Sequence, residues 1–422
     1  MQGAKSFSIS KKLVMNAYQR VKANKGSAGV DGITIEEFEK DYRNRLYKIW
    51  NRMSSGTYFP PPVKLVEIPK GDGGTRPLGI PTVGDRVAQM VVVLTLSPSI
   101  EPHFHENSYG YRPNRSAHDA ISTARKRCWR YSWTVDLDVR KFFDTIDHGL
   151  LLKALGRHTS SKWVLLYIER WLKVPYKTEK GELIERTQGV PQGSVVGPLL
   201  ANLFLHYAFD EWMRRNYPHI PFERYADDII CHCRTKAEAE KLIKAIKDRL
   251  GACKLALNET KTKIVYCKDS NRKGDYAEIQ FDFLGYTFKP RAAKNKRGVY
   301  YTGFSPGISK KAQKRINQKM RNWKLQRWIG LDLKSIGKRI NSVVRGWINY
   351  YGKFYPSALR AVLVGLNTRL VQWVRKKYKR FRYHKTRAVH WLGKIAKQHP
   401  NLFAHWKWGV KPAAHKKGCV TQ

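Results

Sequence analysis

Two adjacent carboxylates, Asp227 and Asp228, interrupt an otherwise apolar, strand-like stretch of the sequence. Residues 222–225 precede them and the apolar run 229–233 follows them. Charged side chains between two such runs are costly unless a cation meets them, and strands so close in sequence pair through a tight hairpin. The pattern therefore predicts a β-hairpin with both acids at its tip, where they can bind a divalent metal ion.

A third acid, Asp138, ends another strand-like segment, 134–138, and lies 89 residues before Asp227. If the fold joins the two strand ends, the three carboxylates form the oxygen ligand set of a two-Mg²⁺ phosphoryl-transfer site. One ion would activate a 3′-hydroxyl, and the other would hold a triphosphate. The alternative is that the Asp-Asp pair is an ordinary polar turn, which is the commoner use of such a pair.

The distribution of charge indicates a polyanionic partner. Lys and Arg number 80 and Asp and Glu number 33, so the net charge is +47. At this excess the positive side chains repel one another and destabilise a compact fold, unless an anion such as nucleic acid offsets their charge. Residues 291–422 carry 33 basic residues and a single acid, Asp332. We therefore place a domain boundary after Pro290.

The basic third also carries seven of the thirteen tryptophans: Trp323, Trp328, Trp347, Trp373, Trp391, Trp406 and Trp408. Aromatic rings among cations can stack on unpaired bases. The alternative is a hydrophobic core, because Ile336, Ile340, Val344, Trp347 and Tyr351 recur at helical spacing and form one helical face.

The first 290 residues mix helical and strand-like periodicity, which predicts an α+β fold with an antiparallel sheet backed by helices. Helices are expected near 8–23, 36–53, 148–157, 162–173, 198–215 and 236–251, and strands at 63–68 and 134–138. Cys231 and Cys233 are expected to be buried strand residues rather than zinc ligands, because no CxxC pair occurs. The longest apolar run, near 90–94, is too short to span a bilayer. The lack of a disulfide framework fits a reducing compartment, so we expect a cytoplasmic protein.

The acids Asp138, Asp227 and Asp228, together with Pro191-Gln192-Gly193-Ser194, resemble the palm and fingers motifs of reverse transcriptases. More specifically, the chain is similar to the group II intron-encoded reverse transcriptase/maturases. Further motifs of that family occur in order along the chain: NKGSAGVDG at 24–32, IPK at 68–70, RPLGIP at 76–81, YGYRP at 109–113, GPLLAN at 197–202, LN at 257–258, KT at 261–262, FLGY at 283–286 and GWINYY at 346–351.

The resemblance implies a right-hand polymerase with fingers and palm built on an antiparallel sheet, followed by an α-helical thumb and maturase domain. It implies three regions: an N-terminal extension and the start of the fingers at 1–60, the fingers and palm at 61–290, and a basic thumb and maturase domain at 291–422. Asp138, Asp227 and Asp228 would be the catalytic, metal-binding triad, with two Mg²⁺ ions as cofactors.

Five further residues match positions that the family uses for the incoming dNTP. Lys70 and Arg76 would hold the triphosphate, and Gln192 would line the nucleotide and template pocket. The ring of Phe143 would block a ribose 2′-OH, and Lys261 would protonate pyrophosphate. On sequence alone, each assignment has an alternative. Lys70 and Arg76 could belong to a solvated basic loop, and Pro-Gln-Gly around Gln192 could be merely a turn. Phe143 could be a buried aromatic, and Lys261 could be a surface lysine.

The turn Phe283-Leu284-Gly285-Tyr286 resembles the primer grip. The basic third would contact intron RNA, and the expected RNA-binding cluster is Arg375, Lys376, Lys377, Lys379 and Arg380. Longer relatives carry a C-terminal DNA endonuclease with histidines and paired cysteines. No such pattern follows Trp408, so we do not expect second-strand DNA cleavage.

The expected function is that of an RNA-directed DNA polymerase of a mobile element, which also binds its group II intron RNA to assist splicing and retrohoming. Expected partners are the intron RNA, an RNA template, a DNA primer or target DNA, and dNTPs, with no membrane. Three alternatives stay open: a splicing-only maturase, a domesticated relative with another role such as phage defence, and an RNA-dependent RNA polymerase, which Phe143 disfavours. The sequence leaves the oligomeric state open.

Overall fold

The computed structural model describes residues 6–69, 74–295 and 297–413, so Lys70 lies outside the described residues. The chain forms two compact units, one of residues 1–120 and 133–264, and the other of residues 121–132 and 265–422. No helix within the described ranges is long and apolar enough to cross a membrane.

The helices begin and end as follows: α1 Lys11–Asn24, α2 Ile35–Lys40, α3 Tyr42–Ser54, α4 Val83–Ile100, α5 Ala117–Cys128, α6 Phe142–Thr145, α7 His148–Leu155, α8 Lys162–Lys173, α9 Gly197–Leu205, α10 Glu211–Asn216, α11 Lys236–Ala252, α12 Lys310–Asn322, α13 Leu333–Tyr351, α14 Pro356–Lys377, α15 Lys385–Gln398 and α16 Ala404–Lys407. A π-helical turn, His206–Asp210, joins α9 to α10.

The helix expected over 36–53 is two helices in the structure. Thr34 and Glu37 form a reciprocal capping box that starts α2, and such a box satisfies two otherwise unpaired backbone donors. The backbone of Asp41 leaves the helical region at φ −134° and ψ 39°, so α2 ends there and α3 begins at the next residue. Hydrophobic periodicity continues across the break, which is why the sequence pattern did not reveal it.

The strands are β1 Val63–Pro69, β2 Thr75–Ile80, β3 Trp133–Asp138, β4 Tyr176–Lys177, β5 Leu183–Ile184, β6 Phe222–Tyr225, β7 Asp228–Cys233, β8 Lys263–Tyr266, β9 Phe281–Phe283, β10 Tyr286–Lys294 and β11 Tyr300–Ile308. They form sheets of order β2-β1-β4-β5, β6-β7-β3-β8 and β11-β10-β9. Strand β7 pairs antiparallel with both β6 and β3. Cys231 and Cys233 are buried within β7, as predicted.

In the second unit, helices α12 to α16 surround a hydrophobic core. Ile336, Ile340 and Val344 of α13 are buried in it, which confirms the helical stripe. Trp373 and Trp406 are fully buried, and the other five tryptophans of the basic third are partly buried against the same core: Trp323, Trp328, Trp347, Trp391 and Trp408. Packing therefore accounts for these rings, and they do not form an exposed stacking surface.

Strand β10 runs through Pro290 without interruption. Its residues from Tyr286 to Lys294 pair in register with β11, and the two compact units divide at 264/265 instead. The boundary expected after Pro290 therefore lies inside a strand. The change in charge at this point alters the exposed side chains and leaves the backbone pairing intact. The three-region division itself stays a prediction.

Candidate active site

The acidic hairpin forms as the sequence predicted. Strands β6 and β7 end in the cross-strand pair Tyr225 and Asp228, with Ala226 and Asp227 as the two turn residues. Ala226 has φ +58°, the left-handed conformation that tight hairpin turns require. On the other side of β7, Asp228 lies directly opposite Asp138, the last residue of β3. The fold therefore joins strand ends that are 90 residues apart.

The carboxylates at these strand ends influence one another. Burial raises the pKa of Asp227, and the negative charge of Asp138 raises it further, whereas the cation of Arg76 opposes the shift. On the exposed side, the Nζ of Lys261 lies 4.0 Å from the Oδ2 of Asp138. Among the described residues, no three His, Cys, Asp or Glu side chains converge closely enough to hold a metal ion. The backbone positions fit a carboxylate metal site, but the three side chains are not gathered on one point.

A buried arginine beneath the turn was missed by sequence reasoning. Arg224 is fully buried, and its guanidinium donates to both carboxylate oxygens of Asp210 at 2.7 and 2.5 Å. The same group donates to the Oδ1 of Asn202 at 2.9 Å and to the carbonyl oxygen of Ala226 at 3.1 Å. One side chain therefore ties the acidic turn to the helices behind the sheet, with Asp210 supplied by the π-helical turn.

The YGYRP motif lies against the same turn. The amide of Asn202 donates to the carbonyl oxygen of Gly110 at 2.7 Å, and the backbone N–H of Tyr109 donates to the oxygen of Arg224 at 2.8 Å. A Cβ atom on Gly110 would lie 2.4 Å from the backbone nitrogen of Ala226, so only glycine fits. Two motifs that carried the family resemblance without an assigned role thus shape the acidic turn.

Two of the residues predicted to bind dNTP, Arg76 and Gln192, are joined by a hydrogen bond. The Nε of Arg76 donates to the Oε1 of Gln192, and the Nε2 of Gln192 donates to the Oδ1 of Asp144 at 3.2 Å. Gly193 has φ +109°, and a Cβ there would lie 2.4 Å from the carbonyl oxygen of Gly79. The structure therefore brings Arg76 and Gln192 together, and the tight turn beside them requires glycine.

Phe143 adjoins this group from helix α6. Its side chain is buried at 8% exposure and its ring centroid lies 5.4 Å from that of Phe142. The carbonyl oxygen of Phe143 accepts the N–H of Val190 at 2.7 Å, which connects α6 to the segment that leads into Gln192. Phe143 also directly precedes Asp144 in the sequence, and the Asp144 carboxylate accepts the hydrogen bond from Gln192.

A second buried network supports the Gln192 segment, and the sequence analysis did not identify it. Asp85 in α4 accepts hydrogen bonds from the hydroxyl of Tyr58 at 2.8 Å, the indole of Trp171 at 2.7 Å and the amide of Gln89 at 2.9 Å. Burial raises the pKa of Asp85 to about 6, although the three hydrogen bonds act to lower it. The Oε1 of Gln89 in turn accepts the N–H of Val195 at 2.7 Å. The available signal was an acid and an amide four residues apart in a predominantly apolar helix.

In the second unit, the predicted primer grip is a two-residue hairpin between β9 and β10. Leu284 and Gly285 both have positive φ, 51° and 79°, and the hydroxyl of Tyr350 donates to the oxygen of Leu284 at 2.8 Å. Phe283 and Tyr286 are fully buried. Only the turn residues are therefore available for contact with a primer, and the two flanking rings anchor the turn.

The predicted RNA-binding cluster contains two kinds of side chain. The guanidinium of Arg375 donates to the carbonyl oxygen of Arg382 at 3.1 and 2.9 Å, and the Nζ of Lys377 donates to that of Leu331 at 2.6 Å. The other three members are exposed: Lys376, Lys379 and Arg380. Arg375 and Lys377 therefore help to hold the end of α14, and the exposed cations remain candidates for phosphate contacts.

Comparison with known proteins assigns this chain to a family. The sequence model described as "Reverse transcriptase (RNA-dependent DNA polymerase)" matches residues 68–288, which is more than half of the chain. The chain belongs to the reverse transcriptase family. A second model, "Group II intron, maturase-specific domain", matches residues 313–391. This reverse transcriptase family member therefore carries a maturase-specific domain within its basic third.

Individual relatives agree with this assignment. Protein YkfC of Escherichia coli is 32% identical over 296 residues, 61% of this chain and 74% of YkfC. The group II intron-encoded protein LtrA of Lactococcus lactis is 35% identical, over 45% of this chain and 32% of LtrA. The putative COX1/OXI3 intron 1 protein of Saccharomyces cerevisiae is 32% identical, over 48% of this chain and 24% of the yeast protein. The chain thus spans about a quarter to a third of these two intron proteins.

These matches confirm the predicted family and agree with its α+β polymerase fold. They also confirm the similarity to group II intron-encoded proteins. The roles assigned to individual side chains stay predictions.

Proposed function

We propose that this chain is an RNA-directed DNA polymerase encoded by a group II intron, which also binds the intron RNA to assist its splicing and retrohoming. The observation that carries the polymerase proposal is the pairing of Asp138 opposite Asp228, with Asp227 beside them in the turn. The substrates are an RNA template, a DNA primer or the target DNA, and dNTPs.

In this proposal, Asp138, Asp227 and Asp228 hold two Mg²⁺ ions. Carboxylate oxygens are the donors that Mg²⁺ prefers, and the repulsion between Asp138 and Asp227 is of the kind that a bound cation relieves. When bound, Mg²⁺ supplies an activated 3′-oxygen and neutralises charge on the triphosphate.

Other side chains take the remaining roles. Arg76 binds the triphosphate. Its hydrogen bond with Gln192 holds the two side chains together, and Gln192 lines one side of the nucleotide pocket. Lys261, whose ammonium lies 4.0 Å from Asp138, is positioned to give a proton to the leaving pyrophosphate, as a general acid would. The partly exposed turn Leu284–Gly285 contacts the primer strand. Lys70, which would bind the triphosphate beside Arg76, lies outside the described residues.

Primer extension tests the polymerase proposal directly. The full-length protein is incubated with a DNA primer annealed to an RNA template, dNTPs and Mg²⁺, and we expect the primer to lengthen to the template end. A chelator in excess over Mg²⁺ should stop extension, and added Mg²⁺ should restore it. A pure, folded protein that binds the annealed duplex but never extends the primer would contradict the proposal.

Replacing Phe143 with Ala should admit ribonucleotides, because the ring is proposed to occupy the space beside the sugar. We expect the preference for dNTPs over NTPs, measured as a ratio of kcat/KM, to fall about tenfold to a hundredfold, since each 1.4 kcal/mol of lost discrimination is about tenfold. Phe143→Leu retains much of the volume and is the matched control. An unchanged preference in Phe143→Ala would mean that the ring is ordinary core.

The intron-binding proposal rests on the maturase-specific match at 313–391 and on the charge of the basic third. Residues 291–422 carry 33 cations and one acid, which suits a partner with dense phosphates. We infer that the protein acts where such introns are transcribed, in the bacterial cytoplasm or in an organelle.

Replacing Lys376, Lys379 and Arg380 together with Gln should weaken binding of the intron RNA. The affinity should also depend less on salt, because fewer counterions are released on binding. In a plot of log affinity against log salt concentration, we expect the slope to become shallower by up to about three. Binding titrations at several salt concentrations measure both effects, beside splicing and extension of a preannealed primer. Extension should persist, because these three side chains lie outside the proposed polymerase site.

The matched control replaces three exposed lysines of the first unit, Lys12, Lys48 and Lys241, with Gln. This variant loses the same charge but should bind the intron RNA like the parent. Equal losses in both triple variants would show that total charge matters and the proposed cluster does not.

A further inference from the structure

A cavity of about 420 Å³ lies among helices α7, α9, α10 and α11 of the first unit. Its volume is in the range of pockets that bind one small molecule. Tyr207 and Ala208 line it and belong to the same π-helical turn as Asp210, the acid that pairs with Arg224 beneath the acidic turn. The cavity is therefore a second candidate site, distinct from the strand ends that carry the three acids. We call it the α7–α11 cavity.

Two aromatic rings, those of Tyr207 and Trp212, form part of the wall of the α7–α11 cavity. The two residues are five positions apart, which in a regular α-helix would turn their side chains about 140° away from each other. The π-helical turn His206–Asp210 lies between them, and such a turn is wider than an α-helical turn by one residue. The wider turn explains why both rings reach the same cavity, where they offer flat apolar surfaces to an aromatic ligand.

Contacts with neighbouring side chains hold this wall in place. The hydroxyl of Tyr207 lies 2.8 Å from the Nε2 of His158, and the guanidinium of Arg249 donates to the carbonyl oxygen of Tyr207 at 2.8 Å. The ring of Trp212 contacts that of Tyr217, with the centroids 5.2 Å apart. The wall is therefore formed before a ligand enters, and a preformed wall lowers the entropy cost of binding.

Among the described residues that line the α7–α11 cavity, four are cations: Lys153, Arg157, Arg215 and Arg249. Glu211 is the one acid of this described set, and it lies 3.6 Å from the guanidinium of Arg215. Lys153 and Arg157 are exposed, and the guanidinium of Arg157 lies 5.6 Å from the centroid of the Tyr207 ring. A ligand in the cavity therefore meets an excess of positive charge beside aromatic rings.

We propose that the α7–α11 cavity binds a nucleoside 5′-monophosphate, apart from the polymerase site. The base would stack on Trp212, because the guanidinium of Arg157 already lies over the Tyr207 ring, and the phosphate would contact Lys153 and Arg157. A phosphate suits these cations better than a carboxylate, because a phosphomonoester carries nearly two negative charges and three acceptor oxygens. The ligand is either a free nucleotide or the 5′ end of an RNA strand, and only the second source rests on the proposed function.

Equilibrium dialysis of radiolabelled AMP against the full-length protein tests this proposal. The buffer contains EDTA, so that no Mg²⁺ recruits the nucleotide to the acids of the polymerase site. We expect saturable binding of AMP, and weaker binding of adenosine and of inorganic phosphate, since each lacks half of the ligand. Trp212→Leu, and Lys153→Gln with Arg157→Gln, should each weaken AMP binding at least about tenfold, because a base–ring stack and charged hydrogen bonds contribute that order of affinity.

Two control variants match these substitutions. Trp129→Leu replaces a tryptophan of the second unit that is 46% exposed, and Lys12→Gln with Lys48→Gln removes two exposed cations of the first unit. Both should bind AMP like the parent. Photolabelling of the unsubstituted protein with 8-azido-AMP provides a measurement that no substitution can disturb, and we expect adducts within residues 204–216 or 249–253.

Competition separates the two sources of the nucleotide. A 5′-phosphorylated hexaribonucleotide should displace radiolabelled AMP if the cavity takes an RNA end, whereas the same oligomer with a 5′-hydroxyl should not. If neither oligomer displaces AMP, the ligand is the free nucleotide.

Three results would overturn the proposal. They are parent-like AMP affinity in both cavity variants, photolabel confined to other segments, and binding of the acidic peptide Glu-Glu-Trp-Glu-Glu without binding of AMP, which would indicate a protein partner. Primer extension by the cavity variants should be unchanged, so a failure here is distinguishable from failure of the polymerase proposal.

Discussion

Replacing Asp227 or Asp228 with Asn is expected to abolish DNA synthesis on an RNA template and leave RNA affinity nearly intact. The amide keeps the shape of each side chain but loses the charge that is proposed to bind Mg²⁺. Metal ions contribute several kcal/mol to phosphoryl transfer, and each 1.4 kcal/mol is about tenfold in rate, so we expect a loss of about a thousandfold or more. Single-turnover extension of a preannealed primer measures it.

The matched control for these substitutions is Asp275→Asn. Asp275 is fully exposed and pairs with Lys268, so its loss removes an equal charge at a place with no proposed role in catalysis. Near-normal extension by Asp227→Asn or Asp228→Asn in Mg²⁺ would contradict the assignment of the triad. A parallel loss of RNA affinity would indicate that the hairpin had refolded.

Replacing Arg224 with Met is expected to destabilise the first unit strongly. The substitution leaves the Asp210 carboxylate buried without its cation, and removes the donors to Asn202 and Ala226. Breaking a buried ion pair on one side typically costs about 3–5 kcal/mol, which for a unit of this size lowers Tm by about 10 °C. Thermal unfolding and hydrogen exchange across residues 222–233 measure the effect, and extension should fall with the loss of the acidic turn.

Two further variants separate the buried charge from general damage. Arg214→Gln removes an exposed arginine that pairs with Glu211, and should change Tm little, because exposed ion pairs contribute little. The double variant Arg224→Met with Asp210→Leu should recover part of the lost stability, since no unpaired charge stays buried. If Arg224→Met unfolds like Arg214→Gln, the network does not stabilise the turn.

The local parts of the fold could be predicted because neighbouring residues specify them. The acidic hairpin follows from two apolar strands beside a two-residue turn, and the face of α13 follows from the spacing of Ile336, Ile340 and Val344. Even there, the period did not reveal the break at Asp41, where one backbone conformation ends α2 without interrupting the hydrophobic pattern.

The partners of charged side chains could not be predicted in the same way. Arg375 and Lys377 stand in the sequence beside exposed basic residues, but in the structure each donates to a backbone carbonyl. A lysine or arginine is long enough to reach either solvent or a carbonyl several residues away. Which of the two it meets depends on where other segments pack.

The sequence alone therefore determined the family, the position of the acidic turn and the concentration of positive charge in the last third. These are properties of residue identity, order and short-range periodicity. Only the tertiary structure decided that Arg224 pairs with Asp210, that Arg76 reaches Gln192 across 116 residues, and that Trp373 is core while Tyr300 is exposed. The physical reason is that burial and hydrogen bonding depend on which distant segments meet, and no local pattern encodes that meeting.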